Sequence, residues 1–332
     1  MSSPEMTMRL HIQNVAGETG DFLFTPAQLA AAAARANRPV PEASYGVTAD
    51  DFAAGMAKAD ILVGGPASFS GRFPVHAPSL KMIFSTGAGV DKLQPFDWLP
   101  EGVVLLNNRG THANKAFEYS AMALLMLNAR IPKAIAAQRT QTWSPNQRPT
   151  LQGRPVTVIG AGHLGTGAAR AARTFGAQVT GLRTTAAPHP DFDRMLGIEA
   201  LDSILPETEF LIITCPLTPQ TKNLLDRRRL SLLPKDAALC NIGRGPLIDQ
   251  DALCDLLDSG HLSGAVLDVV TPEPLPKDSR VWTTQNLVVT PHDGIDDRAR
   301  YNPDSLDIFF RNLTAFEAGH PLPNRVDPAR GY

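Results

Sequence analysis

Apolar residues along this chain fall in short continuous runs, without strict alternation. The run Ala59-Asp60-Ile61-Leu62-Val63-Gly64-Gly65, then Leu80–Ser85 and Val103–Asn107, each read as a strand buried on both faces, the pattern of a parallel sheet. Thr7–Ile12 is a shorter strand of the same kind. Between them, Pro26 opens the alanine-rich helix Ala27–Ala36, and Phe117–Ala129 has the apolar density of a core helix. A polar, proline-containing stretch follows Trp143 and lasts to Leu151, after which the pattern restarts. Strand Val156–Ile159, helix His163–Phe175 and strand Gln178–Arg183 come first. Strands Glu209–Thr214, Ala237–Asn241, Gly264–Asp268 and Asn286–Thr290 follow. Strands alternating with helices predict βαβ units and an α/β fold. The restart divides it into two Rossmann-like lobes, each a parallel sheet flanked by helices. A last helix, Asp304–Ala318, carries Leu306, Phe309, Phe310, Leu313 and Phe316 at helical spacing, which reads as a core stripe.

Composition narrows the class. The 332 residues suit two domains, and with 43% apolar and 19% charged residues the chain can bury real cores. A net charge of −2 and a pI near 6.4 argue against a nucleic-acid binder. No apolar run approaches the roughly 20 residues that cross a bilayer, and Met1–Glu5 lacks the basic and apolar regions of a signal peptide. Cys215, Cys240 and Cys254 have no CxxC spacing, so neither a metal site nor a disulfide framework is expected. The expectation is a soluble cytoplasmic protein with no membrane or nucleic-acid partner and no metal.

The chemistry starts where the second lobe opens. Strand Val156–Ile159 runs into Gly160-Ala161-Gly162-His163-Leu164-Gly165 and then a helix, the strand–GxGxxG–helix order of a dinucleotide site. Gly160 makes the tight turn, Gly162 lets backbone approach a pyrophosphate, and Gly165 allows close helix–strand packing. At the end of the next strand an acidic residue would bind a ribose 2′-hydroxyl. This chain has Gly181-Leu182-Arg183-Thr184-Thr185 there instead. A guanidinium beside hydroxyls suits a 2′-phosphate, so NADP(H) is expected over NAD(H), with Arg183 and Thr184 as contacts. The alternative is a solvated surface arginine.

Three further segments end strands with reactive side chains. Asn241-Ile242-Gly243-Arg244-Gly245 offers Arg244; Asp268-Val269-Val270-Thr271-Pro272-Glu273-Pro274-Leu275 offers Asp268 and Glu273; and Thr290-Pro291-His292-Asp293-Gly294 offers His292. Taken singly, such an arginine can cap carbonyls, the glutamate can be solvated and the histidine structural. In this order they resemble the D-isomer-specific 2-hydroxyacid dehydrogenase family, which includes glyoxylate/hydroxypyruvate reductases. The likeness runs from about Ile83 to Tyr332 and takes in Gly87-Ala88-Gly89-Val90-Asp91 and Cys215-Pro216-Leu217-Thr218-Pro219.

The resemblance implies a small 2-oxo acid reduced to a D-2-hydroxy acid in a cleft between the lobes. Arg244 would bind the substrate carboxylate and carbonyl, because its planar fork matches a carboxylate and keeps its charge. His292 would protonate the oxygen as hydride reaches the 2-carbon, with Glu273 stabilising the imidazolium. The N–H groups of Ala88 and Gly89 would take the carboxylate. Asp268 would receive the nicotinamide amide. Gly294, Cys215, Pro216 and Ile242 would line the cofactor with the glycine turn, including His163 and Leu164. The expected substrate domain is 1–108 plus 297–332, with the C-terminal helix rejoining it over about 297–318. The cofactor domain is 109–296, and an extended arm over about 131–151 would make a homodimer.

Two departures qualify the likeness. Where relatives carry an N-x-P-G turn, this chain has Asn107-Asn108-Arg109-Gly110-Thr111-His112-Ala113-Asn114-Lys115. Arg109, His112 and Lys115 read as surface hinge residues, the alternative being contacts to a second substrate carboxylate. Arg298 and Arg300 raise the same question, and Trp143 and Trp282 are candidates to border the cleft. Competing functions are a non-catalytic nicotinamide-sensing corepressor-like protein and a formate- or phosphite-type dehydrogenase. The first would show no ketoacid-dependent NADPH oxidation, and glutamate at 273 departs from the glutamine of the formate branch.

Overall fold

The computed structural model describes residues 8–15 and 22–332, so the start of the expected Thr7–Ile12 strand lies outside the described residues. The chain forms two compact units, residues 1–111 with 297–332, and residues 112–296.

The first unit is built on a five-stranded parallel sheet of β1 (Leu10–Gln13), β2 (Ala43–Gly46), β3 (Ile61–Gly64), β4 (Met82–Ser85) and β5 (Val104–Leu106), in the order β2-β1-β3-β4-β5. Successive residues point to opposite faces, and both are covered. Ile61, Val63, Met82 and Phe84 pack with Leu306, Phe309 and Phe310 of the Tyr301–Glu317 helix, beside the Pro26–Arg35 helix. Leu62, Ile83 and Leu105 face the other way, onto Phe52 and Met56 of the Ala49–Met56 helix. The Phe84 and Phe309 rings lie 5.7 Å apart, centroid to centroid. Thr25 starts the Pro26–Arg35 helix with a capping box: its hydroxyl accepts from the Gln28 N–H, and the Gln28 side chain accepts from the Thr25 N–H.

The second unit has seven parallel strands: β6 (Pro155–Ile159), β7 (Gln178–Arg183), β8 (Arg194–Gly197), β9 (Phe210–Ile213), β10 (Ala238–Asn241), β11 (Gly264–Leu267) and β12 (Leu287–Val289). Their order is β12-β11-β10-β9-β6-β7-β8, so the chain winds one way from β6 and then returns to wind the other way from β9. Val156, Val158, Val179 and Ile212 pack under the Ala113–Asn128 and His163–Thr174 helices. Ile159, Leu182, Leu211, Leu239 and Leu267 pack with Leu253 and Leu257 of the Gln250–Asp258 helix on the opposite face.

Several elements depart from the sequence expectation. Strands β2 and β8 are edge strands whose mixed composition carries no apolar run. The expected extended arm begins instead with a nine-residue helix, Ile131–Arg139, and is irregular only beyond it. The last helix starts at Tyr301. Among the described residues no helix is long and apolar enough to cross a membrane.

Candidate active site

Between β6 and β9 the winding of the second sheet reverses, which separates the loops that follow these two strands and opens a crevice at their C-terminal ends. The glycine turn occupies it. Gly160 sits at φ +99°, a conformation that disfavours a side chain, and a Cβ there would lie 2.8 Å from the Cys215 backbone nitrogen. The Thr214 hydroxyl donates to the Gly160 carbonyl at 2.7 Å, joining the two loops at the reversal. At Gly165 a Cβ would lie 1.7 Å from the Gly160 carbonyl oxygen, so only glycine lets the helix start this close to the strand. Gly162 differs: a Cβ there would meet nothing within 4 Å. It begins the His163–Thr174 helix with no side-chain cap, leaving backbone N–H groups for an anion. A cavity of about 350 Å³ adjoins the turn, lined by Ala161, Gly162, His163 and Thr166 with Ala113 and Phe117.

Arg183 is the last residue of β7, and Thr184 beside it is exposed. The Arg183 guanidinium donates from Nε to the Thr185 carbonyl at 2.7 Å and from Nη2 to the Ala187 carbonyl at 3.0 Å. It therefore braces the loop that carries the two threonines, while Nη1 is not used in that brace.

On the other side of the reversal, Asp268 follows β11 and is buried, with its N–H donating to the Asn241 carbonyl at 3.0 Å. Its Oδ1 accepts from the Thr290 hydroxyl at 2.6 Å and from the Gly294 N–H at 3.0 Å. Because the Thr290 proton points at Asp268, Thr290 accepts from the Tyr119 hydroxyl, 2.7 Å away. Burial pushes the Tyr119 phenol up, so it stays a donor. Asp268 Oδ2 is buried with no partner among the described residues. A buried acceptor of this kind calls for an N–H donor, which fits a carboxamide such as that of nicotinamide. Cys215, at the wall of the crevice, is buried with its thiol pushed up to about 12, so it packs and does not act as a nucleophile. Ile242, after β10, is buried, and Pro216 is exposed.

The reactive side chains stand at neighbouring strand ends. Arg244 follows β10 in a turn set by Asn241, which is buried and whose side chain accepts from the Gly243 N–H and donates to the Arg244 carbonyl. Arg244 also donates from Nη1 to the Gly243 carbonyl at 2.8 Å. Glu273 lies in the loop after β11, which Gln250 clamps by two hydrogen bonds to the Thr271 backbone. The Glu273 carboxylate accepts from the Val270 N–H through Oε1 and meets His292 Nδ1 through Oε2 at 2.8 Å. His292 follows β12 at φ +58°, a left-handed conformation that costs on the order of 1 kcal/mol or more in a residue with a Cβ.

His112 and Asp296 were not legible as a pair. The His112 side chain is only 11% exposed, with Nδ1 3.1 Å from the Ile295 carbonyl and 3.4 Å from Asp296 Oδ1. The surface-hinge expectation for His112 is therefore corrected: the chain turns inward there and buries the ring. Burial is the largest influence on this imidazole and lowers its pKa.

Other expectations fall as follows. In the first unit, Ala88 and Gly89 lie in the loop after β4. The Ala88 carbonyl accepts from Asn107 at 3.1 Å, while neither residue's N–H donates to a described residue. Arg109 donates to the Pro323 carbonyl at 2.6 Å, a structural tether, and Arg300 pairs with Asp304 one turn along its helix at 2.5 Å. Trp143 is 94% exposed, and the Trp282 indole donates to the Pro276 carbonyl of its own loop. Asn241, Gln250, Tyr119 and Thr290 hold the site in place, yet no motif position marks Gln250 or Tyr119.

Comparison with known proteins bears on what this site does. The family model "D-isomer specific 2-hydroxyacid dehydrogenase, NAD binding domain" matches residues 121–294. Glyoxylate/hydroxypyruvate reductase A of Salmonella typhi is 32% identical over 259 residues, covering 76% of this chain and 82% of the relative. Among solved structures, a D-isomer specific 2-hydroxyacid dehydrogenase from Xanthobacter autotrophicus Py2, in complex with NADPH and MES, superposes with a TM-score of 0.83 at 29% identity. That match covers 98% of this chain and 100% of the other. An NADPH-dependent glyoxylate/hydroxypyruvate reductase from Sinorhizobium meliloti, in complex with NADP and sulfate, gives 0.78 at 29% identity, covering 97% and 99%.

Proposed function

This chain belongs to the D-isomer-specific 2-hydroxyacid dehydrogenase family, and we propose that it reduces a small 2-oxo acid of the glyoxylate or hydroxypyruvate type, preferring NADP(H). The NAD(P)-dependent interconversion of 2-oxo and D-2-hydroxy acids is the activity of this family, and the chain is an enzyme of that kind. The observation that carries the proposal is the 2.8 Å contact between His292 Nδ1 and Glu273. A carboxylate can only accept, so Nδ1 bears a proton and Nε2 is the atom left to give one to the substrate oxygen or take it back.

A reduced nicotinamide, when bound, would supply the hydride for the 2-carbon. Arg244 binds the carboxylate and carbonyl, aligning the 2-carbon and polarising its oxygen. The N–H groups of Ala88 and Gly89 take the substrate carboxylate. Gly160, Gly162, His163, Leu164 and Gly165 would hold the pyrophosphate, Asp268 Oδ2 would receive the carboxamide, and Cys215, Pro216, Ile242 and Gly294 would flank the rest. Arg183 and Thr184 would receive a 2′-phosphate. The support for NADP(H) is this cationic strand end without an acidic residue, together with two structural relatives solved in complex with NADPH or NADP. The corepressor-like and formate- or phosphite-type alternatives are not favoured by these relatives.

We further propose a homodimer through the 113–143 region. Met122, Leu125, Ile131, Ile135 and Trp143 expose apolar side chains on two successive helices and the segment after them, a patch that a second copy would cover. The test of function is an assay of glyoxylate, hydroxypyruvate, phenylpyruvate and branched 2-oxo acids with both cofactors, on the wild type and His292→Ala. Loss of the general acid should lower turnover by about 10²–10⁴-fold while NADPH affinity persists. Near-normal turnover in the variant would refute the role of His292.

A further inference from the structure

Three successive carbonyls in the loop after β4 are held chiefly by the segment that follows β5. The Thr86 carbonyl accepts from the Asn108 side-chain amide and from the Tyr301 hydroxyl, each at 2.8 Å. The Gly87 carbonyl accepts from the Asn108 backbone N–H at 3.2 Å, and the Ala88 carbonyl from the Asn107 side-chain amide at 3.1 Å. Asn107 and Asn108 are both buried, and each side-chain amide has one orientation that fits. Asn107 Oδ1 accepts from the Arg109 N–H at 3.3 Å, which leaves its nitrogen for Ala88. The Asn108 nitrogen also donates to the Ser305 hydroxyl at 2.7 Å, whose own proton goes to the Tyr301 carbonyl at 2.6 Å.

These anchors decide where the N–H groups of the loop point. The peptides joining Gly87 to Ala88 and Ala88 to Gly89 are trans, so each N–H points opposite to the carbonyl of the same peptide unit. Successive carbonyls of an extended strand face opposite sides; those of Gly87 and Ala88 turn to the same segment. The N–H groups of Ala88 and Gly89 therefore point to one side, away from residues 107–108, and neither donates to a described residue. Two unpartnered donors on one side of a loop suit an anion such as a carboxylate. We infer that Asn107 is a positioning residue that, with Asn108, aims this pair of N–H groups at the substrate carboxylate. That role rests on the proposed reading of Ala88 and Gly89 as carboxylate contacts and adds what holds them in that attitude.

The anchor is itself braced. The Asn107 N–H donates to the Asn324 carbonyl at 3.0 Å, and the Asn324 side chain donates to the Arg109 carbonyl at 2.8 Å. Two hydrogen bonds, of 3.0 and 3.2 Å, join Asn324 to Asn312, which is buried in the Tyr301–Glu317 helix. A Cβ at Gly87 would lie 2.9 Å from the Pro66 ring, so the loop also passes close against the start of the Pro66–Phe69 helix. A purely structural role for Asn107 would show in unfolding and leave the binding of a carboxylate alone.

Asn107→Asp keeps the acceptor for Arg109 and turns an oxygen toward the Ala88 carbonyl, which it repels. Oxamate, a carboxylate that the enzyme cannot reduce, serves as the binding probe on the full-length chain saturated with NADPH. In the wild type it should move the amide proton resonances of Ala88 and Gly89 downfield, the two being assigned from Ala88→Ser and Gly89→Ala. In Asn107→Asp the Kd of oxamate and the KM of glyoxylate should each rise at least about fivefold. The kcat should fall less than about threefold, because the carboxylate is bound in ground and transition states alike. NADPH affinity should stay within about twofold of wild type. Asn107→Ala removes the same donor without adding a charge and should weaken oxamate at least about twofold, so the test stands even if the charged variant does not fold. Wild-type amides that do not move with oxamate overturn the reading of Ala88 and Gly89, and the role of Asn107 with it. Amides that move in the wild type, with oxamate affinity unchanged in the Asn107 variants, overturn the positioning role alone, as does an equal loss of NADPH affinity.

Discussion

Gly162→Ala separates binding from folding at the glycine turn. Gly162 has φ −85° and ψ −163°, a conformation open to any residue, and its added Cβ meets nothing within 4 Å. Alanine is a poorer N-cap than glycine by about 0.5–1 kcal/mol. It also stiffens the unfolded chain, which returns about 0.4–1 kcal/mol. The two nearly cancel, so Tm should stay within about 3 °C of wild type. The methyl group instead occupies the space where a pyrophosphate would approach the backbone, and NADPH affinity should drop about 10–100-fold, or 1.4–2.8 kcal/mol. Gly165→Ala reverses the pattern. Its Cβ would lie 1.7 Å from the Gly160 carbonyl oxygen and 2.9 Å from the carbonyl carbon, both backbone atoms that cannot rotate away. Overpacking there should cost at least about 1–3 kcal/mol and lower Tm by roughly 3–10 °C. Thermal unfolding and titration of NADPH fluorescence on both variants decide the matter. A Gly162→Ala protein that binds NADPH within twofold of wild type refutes a pyrophosphate against this turn. An unchanged Tm in Gly165→Ala refutes the helix–strand contact as a stability determinant.

Arg183→Asp places a carboxylate where a 2′-phosphate is proposed to bind, and the ratio of kcat/KM for NADPH over NADH should fall at least about tenfold; an unchanged ratio removes Arg183 from cofactor choice. His11 is buried between the Ser44 hydroxyl and the Gln13 side chain, each 2.8 Å from the ring, and burial lowers its pKa below the usual 6.5. As pH falls below 6.5 the unfolded chain takes up a proton that the folded chain refuses, so stability falls until the folded pKa is reached. His11→Gln should flatten that limb of the urea midpoint plotted against pH, and a curve of wild-type slope would discard the explanation. The double variant Leu125→Glu with Ile135→Glu charges the exposed apolar patch and should give a monomer with an unchanged far-UV spectrum. Sedimentation that finds a dimer in that variant, or a monomer in the wild type, defeats the proposed interface.

Strands β9 to β11, buried along their length, were legible because their apolar runs are continuous, and they differ from expectation by one residue at one or both ends; the shorter β12 was found to within one residue at each end, and β7, expected at Gln178–Arg183, has those bounds. Two of the edge strands were not: β2 (Ala-Ser-Tyr-Gly) and β8 (Arg-Met-Leu-Gly) have one neighbour each and form without an apolar run. The resemblance implies an extended arm over about 131–151, but its first part, Ile131–Arg139, is helical. Proline at the second position of a helix gives up only an N–H that would have had no partner, and Ala134, Ala136 and Ala137 then favour the helix that forms.

The same distinction runs through the site. Glycine turns and strand-end arginine or histidine are local, so their spacing exposes them; the groups that hold them are not. Tyr119 reaches Thr290 from a helix 171 positions earlier, and Gln250 clamps a loop 21 positions later. His112 meets Asp296 only because the chain leaves the second unit beside the point where it entered. In each case the partner is chosen by the winding of the sheet, and nothing in either short segment announces it. The consequence is chemical. A histidine's working nitrogen is decided by what its other nitrogen faces, and at both His292 and His112 that partner comes from a distant segment. The sequence could therefore name a candidate proton carrier, but the direction in which it presents its proton is a property of the fold.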